Sequence, residues 1–362
     1  MTSSLLPHRR GLRGVSVAAA ASLCLLPVVA RAQSRANVDV SAGATAASNP
    51  HLLNGANTSA VGVNLTVKPS LVVETGDASV RFWGDLGLEE FFDKYGLEDS
   101  IQLGAAGEHR INEKTTLTTN VDFRSSMSAA RQFYLASPAG NVGAGGDPAN
   151  SQLDPTLANL AGRSSRLSVN GSLRHLFDPK SSLVASAGMG LTRVSSASGR
   201  DYRDSNLGLE YTRILSETTS ALVTVNGGYA DYFGQRSGDG LFVTSLVGVD
   251  HQLTQTLHFS GQIGASMAAI VSPAGNRETT VAWAGNLDLC EKDGRGSLCL
   301  TGARATQPTS FGGLTTVSSV GISYARSFGP RDTASATASY ARTSQARLQT
   351  LSGFGRRSEL VS

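Results

Sequence analysis

The chain has 362 residues, of which 16% are charged and 40 are glycine, with 31 Lys and Arg against 28 Asp and Glu. Four of the basic residues and none of the acidic ones fall in residues 1–32, so the remainder carries 27 basic against 28 acidic groups, net about −1, which excludes a basic nucleic-acid-binding surface. The charged fraction is below the ~25% usual for soluble domains, and beyond residue 32 no stretch is apolar enough for a membrane helix.

Residues 1–32 read as a secretory signal peptide. Arg9, Arg10 and Arg13 form a positive start, Val15 to Val29 is apolar, and Ala30-Arg31-Ala32 is a small-x-small cleavage site before Gln33. The apolar run falls short of the ~20 residues of a membrane span. Residues 33–362 then form one domain.

From Val38 onward the chain alternates with a period of two, which argues strand rather than helix. Val38 to Ala46 is the first strand and Ser48 to Ser59 a polar loop. Val61 to Val73 is the second strand, where Pro69 predicts a bulge or break. The third sets Val80, Phe82, Leu86 and Leu88 against Arg81, Trp83, Asp85 and Glu89; the fourth runs from Ile101 to Ile111 and turns at Asn112 to Lys114; the fifth carries Leu117, Val121 and Phe123. A long connection, Ser126 to Gly162, precedes the clearest hairpin, Ser165 to Arg193. There Leu167, Val169, Leu173 and then Leu183, Ala185, Met189 occupy one face, with Asp178-Pro179-Lys180 as the turn.

Short turns recur near Asp178, Ser216, Gln255, Asp293 and Pro330, at spacings of 38, 39, 38 and 37 residues, and earlier near Gly76 and Glu113, 37 apart. Longer polar loops lie between them: Ser195 to Asp201, Gln235 to Gly240, Pro273 to Glu278, Gln307 to Gly313 and Ser344 to Arg357. Alternating short and long connections predict an all-β antiparallel transmembrane barrel of about sixteen strands, with the N-terminus and short turns periplasmic. The last run, Arg357 to Ser362, is too short to span, so the C-terminal strand is expected to be incomplete. The Val, Leu, Ile, Ala and aromatic face would meet lipid, with Phe177, Tyr211, Tyr229, Tyr324 and Tyr340 near its ends, and the Ser, Thr, Asn and charged face would line the lumen.

The signal peptide, hairpin period and Gly/Ser/Thr-rich alternating strands resemble Gram-negative outer-membrane β-barrel proteins, particularly the β-barrel porins of proteobacteria, over about residues 36–361. The resemblance implies an outer-membrane location, contact with outer-membrane lipid and lipopolysaccharide, and passage of small hydrophilic solutes. Such barrels usually finish on an aromatic residue, whereas this sequence finishes Leu360-Val361-Ser362.

Parity assigns Lys68, Arg81, Asp85, Glu108, Arg110, Asp122, Arg124, Arg166, Arg174, Glu210, Asp250 and Asp288 to the lumen, as a filtering field or as ion pairs that stiffen the wall. Cys290 and Cys299 stand symmetrically about Asp293 to Gly296, which sets them opposite each other and predicts a disulfide in an oxidising compartment. His109, His175 and His251 fall on the apolar parity near strand ends and read as interfacial residues. In the Ser126 to Gly162 loop, Phe133 and Tyr134 are candidates to fold onto the lumen wall with Arg131 at a constriction; the alternative is a flexible surface loop.

No histidine stands near a nucleophile at an extracellular loop, and no dinucleotide or phosphate-loop motif is present, so catalysis is not expected, nor are cofactors or metals. No length is left for a plug or passenger domain, which argues against gated siderophore receptors and autotransporters. The leading function is passive diffusion of small hydrophilic solutes. The alternatives are surface-polysaccharide export or envelope assembly, and a structural barrel with a closed lumen.

Overall fold

The computed structural model describes residues 33–47, 59–92, 96–127, 163–195, 199–233, 238–272, 274–309, 312–329, 332–345 and 357–361. Residues 1–32, where a leader is expected, and the segment carrying Arg131, Phe133 and Tyr134 lie outside them. Among the described residues there is no helix, and there are sixteen strands. The first eight are β1 (Gln33–Ala47), β2 (Ala60–Glu74), β3 (Ala78–Phe91), β4 (Gly96–Asn112), β5 (Thr115–Ser126), β6 (Ser164–Asp178), β7 (Ser181–Val194) and β8 (Tyr202–Ser216). The second eight are β9 (Thr219–Tyr232), β10 (Gly240–Gln252), β11 (Leu257–Val271), β12 (Arg277–Lys292), β13 (Gly296–Pro308), β14 (Leu314–Ser327), β15 (Thr333–Gln345) and β16 (Arg357–Val361). They form one antiparallel sheet in sequence order. Among the described residues no ladder joins β1 to β16, so this barrel wall is open there.

Five of the short turns share one local device. The side-chain oxygens of Asn112, Asp178, Ser216, Thr254 and Asp293 each accept a backbone N–H two residues on, from Lys114, Lys180, Thr218, Thr256 and Arg295. Such Asx and Ser/Thr turns reverse the chain without help from tertiary contacts. They set the register: Leu167 pairs with Leu191 and Val169 with Met189, so the apolar alternation of β6 and β7 falls on the same side. At Pro69, which has no N–H, the β2–β3 ladder skips from Val67↔Leu86 to Ser70↔Trp83.

The two faces are solvated the wrong way round for water. Val281, Leu207 and Met189 are 70%, 69% and 65% exposed on the apolar parity, with Ile263, Leu209 and Val247 beside them. Buried positions on the sheet are rich in Ser and Thr: Thr315 is 0% and Ser266 2% exposed. The polar face is concave. On it the Thr224 hydroxyl of β9 reaches Gln262 of β11 at 3.2 Å, two strands away, although flat neighbouring strands stand ~4.8 Å apart.

One region departs from a regular wall. The β12–β13 ladder stops at Gly285↔Arg304, although both strands continue beyond it. From there the end of the β13–β14 hairpin tucks beneath β11. Thr306 meets Ser266 at 3.2 Å, and Leu314 packs with Ala268, Ile270 and Phe242. The described residues of the expected polar loop at Gln307 to Gly313 are thus largely interior: Gln307 and Thr309 are 7% and 4% exposed. The Tyr232 hydroxyl lies 2.7 Å from the Thr309 carbonyl and 2.9 Å from that of Gly313, and accepts the Thr309 N–H at 3.1 Å. Anchoring by a tyrosine 77 residues away overrides the polar composition that marked this stretch as surface.

Candidate functional site

The concave face of β5 to β8 carries three adjoining polar rows. In the first, Asn120, Asn170, Gly188 and Asn206 succeed one another across the ladders. In the second stand Asp122, Ser168, Gly190 and Asp204, and in the third Arg124, Arg166, Thr192 and Tyr202. Alternation places all of them on one side, and the turn at Asp178 fixes which residues face each other.

The second row carries the anions and the third the cations. Arg124 Nε lies 2.6 Å from Asp122, which also accepts from Gln102 at 2.9 Å. Arg166 grips Asp204 through both terminal nitrogens, at 2.9 and 3.0 Å, and donates to Thr192 at 2.8 Å. This forked contact crosses over β7, and Gly190 leaves the room: a Cβ there would sit 2.6 Å from Arg166 Nη2 and from Asp204 Oδ1. Gly188 makes the same allowance for Asn170 and Asn206, at 2.2 and 2.5 Å. Glycine in mid-strand relieves crowding on the inner face at these two positions. The buried Asn120 Oδ1 has no hydrogen-bond partner among the described residues.

Other charges of that parity sit outside this belt. Lys68 and Asp85 pair across β2–β3 at 3.3 Å. Asp250 pairs with His258 at 3.0 Å. Arg81, Glu108, Arg110 and Arg174 stand exposed nearer the short turns and make no ion pair among the described residues; Glu210 and Asp288 are half-buried there. Asp204, Thr192, Gln102 and His258 are participants that single-strand parity does not single out. Asp204 and His258 could have been found by carrying the register through the turns. Gly190↔Asp204 and Gln252↔His258 follow from pairing symmetrically about each turn or loop.

Cys290 and Cys299 are register partners on the same face, with Cα atoms 4.1 Å apart and their sulfurs bonded. His175 and His251 each share a hydrogen bond with a threonine hydroxyl, of Thr115 and Thr219, at 3.0 and 2.8 Å near the short-turn end. Among the described residues no group of three or more His, Cys, Asp or Glu is placed to hold a metal ion.

No family model matches the sequence, and no curated protein does. Among solved structures, the chain is similar to the FrpB iron transporter of Neisseria meningitidis in its apoprotein form (TM-score 0.48, 10% identity, 86% of this chain and 54% of that one). It is also similar to the siderophore receptor PirA of Pseudomonas aeruginosa (0.44, 11%, 86% and 56%) and to a ferric enterobactin receptor PfeA mutant from the same organism (0.43, 10%, 87% and 54%). The chain spans about half the length of these proteins.

Proposed function

We propose that the protein is an outer-membrane β-barrel that lets small hydrophilic solutes pass along its concave polar face. The carrying observation is the inversion of solvent preference. A continuous surface of Val, Leu, Ile and aromatic side chains faces outward while Ser, Thr, Asn and paired charges face inward. Burying that outer surface is worth ~25 cal/mol per Å², and a lipid bilayer is the medium that covers it all round. A spanning sheet must satisfy every backbone group, so closure of the wall in the membrane belongs to this reading. The Asp122–Arg124 and Arg166–Asp204 pairs then form a charged belt on one wall of the passage, acting on solutes by charge and size.

The inward β13–β14 hairpin favours a second reading, in which the lumen is closed at the end opposite the short turns and the barrel serves envelope assembly, export or structure. Planar-bilayer recording of the full chain decides between them. Stepwise ohmic currents are expected for the passage, and a silent but inserted protein would overturn it in favour of the closed barrel.

A further inference from the structure

We propose that the seam between β12 and β13 is a lateral site for an anionic membrane lipid, with its phosphate on Arg304 and its acyl chains along the outer face. This rests on the membrane reading above. Three observations meet at the seam. First, the ladder ends at Gly285↔Arg304 while both strands run on, so the wall parts there. Second, a cavity of about 770 Å³ opens at the parting, and its outer side is apolar, with Ile263, Leu287, Val320 and Tyr340. Third, its charged lining residues are Arg304 and Arg342, with no Asp or Glu among them.

The charge is what selects the occupant. Two other arginines of the outward parity carry their own carboxylates: Arg163 pairs with Asp99, and Arg203 with Asp231 at 2.7 Å. Arg304 is held differently. Its Nε donates to the Trp283 carbonyl at 3.1 Å, its Nη1 to the Ser318 hydroxyl at 2.8 Å, and its guanidinium lies 4.7 Å over the Trp283 ring. Arg342 stands opposite Glu359 in the β15–β16 register. Among the described residues Arg304 thus has orientation without a counter-charge, and an uncompensated cation on an apolar face is costly in a bilayer. Nη2 makes no hydrogen bond among the described residues, so the fork has N–H groups left for phosphate oxygens. Arg304 is about eight residues from the β12–β13 turn, roughly 26 Å along the strand and ~20 Å in height at a ~40° tilt, which sets it near the far edge of a ~25 Å apolar band, within reach of headgroups, rather than at mid-membrane. A zwitterionic lipid brings its own cation and gains less from Arg304 than a net anionic one.

The test uses Trp283 as the reporter. The chain has two tryptophans, and Trp83, on the concave face against Gly104, is removed by Trp83→Phe. The full chain is folded into phosphatidylcholine vesicles doped with either brominated phosphatidylglycerol or brominated phosphatidylcholine. Brominated phosphatidylglycerol is expected to quench Trp283 about fivefold more effectively at equal mole fraction, the enrichment one basic side chain gives near a membrane surface. Arg304→Gln should erase the difference and Arg304→Lys retain much of it. Raising the salt on the unsubstituted site should also shrink it, which keeps the test decisive if the glutamine variant fails to fold. Equal quenching by the two lipids overturns the site and leaves the membrane reading standing. Absence of quenching by either overturns both, and if those particles run as dimers the face is covered by a second copy of the chain.

Discussion

Arg124 and Arg166 face each other directly across the β5–β6 ladder, two cations side by side on the concave face. Each is held by an aspartate two residues or two strands away, Asp122 at 2.6 Å and Asp204 at 2.9 Å. Like charges directly opposite are destabilising, so the aspartates are what make the pairing tolerable.

Removing one of them should be felt in both stability and transport. Asp204→Asn removes the carboxylate that holds Arg166 in a fork beside Arg124. The pair is partly solvated, so the expected cost is about 1–2 kcal/mol rather than the larger loss of a fully buried pair. The belt would change from two of each sign to two cations against one anion. The reversal potential across a salt gradient is expected to move toward anion preference, and an unchanged potential would show that the belt does not line the conducting path.

The Tyr232 hydroxyl governs the inward hairpin end. Tyr232→Phe keeps the ring against Tyr202 and removes the hydroxyl's contacts, while the Thr309 N–H keeps the Gly313 carbonyl and the Thr309 carbonyl keeps the Gly312 N–H, so the expected cost is about 0.5–1.5 kcal/mol. The expected outcome is higher or noisier single-channel conductance as the hairpin end loosens. The opposing variant, Ser266→Cys with Thr306→Cys, joins positions whose hydroxyls are 3.2 Å apart and should fix the hairpin inward and lower conductance until reduced.

The Cys290–Cys299 bridge closes a loop of only nine residues' separation, inside a turn already set by Asp293. Chain entropy then limits its contribution to about 2.5 kcal/mol. Reduction, or Cys290→Ser with Cys299→Ser, should lower the urea midpoint in vesicles modestly while the folded, heat-modifiable band persists on a gel. Complete unfolding on reduction would refute this.

Asp293 gives a pH signature outside the membrane. The backbone N–H groups of Arg295 and Gly296 hold its carboxyl below the ordinary 3.8. Because the folded value is depressed, the turn's contribution is full above the ordinary carboxylate range and is lost as pH falls through the folded value. The Gly296 amide shift, followed by NMR against pH, should titrate with a midpoint under 3.8. A midpoint at or above that value would mean the turn does not hold the carboxylate.

Much of the fold was legible in the sequence, because its causes are local. Leu167, Val169 and Leu173 announce a strand by alternation, Asp178 announces its turn, and symmetric counting about Asp293 puts Cys290 opposite Cys299. The contacts that escaped depend on curvature. Arg166 reaches Asp204 over the intervening strand β7; the glycine at position 190 that makes room is plain in the sequence, but the curl of the wall that brings the two together is not visible from one strand's pattern. The burial of Thr309 depends on Tyr232, far off in the chain and with no local mark. Composition put Gln307 to Gly313 in solvent because it registers polarity and not what a distant tyrosine can satisfy.

The sequence-ordered meander also bears on how the wall is built. Each strand's partners are its immediate neighbours in the chain, so every ladder is made of hairpins or short returns, apart from the long connection between β5 and β6. Assembly can therefore proceed one hairpin at a time, with little loop-closure entropy at each step. The tuck of the β13–β14 end is the exception. It needs β9 and β11 already in place, which makes it a late event, and a chain stalled before it would carry a complete set of ladders with the hairpin end still outside the concave face.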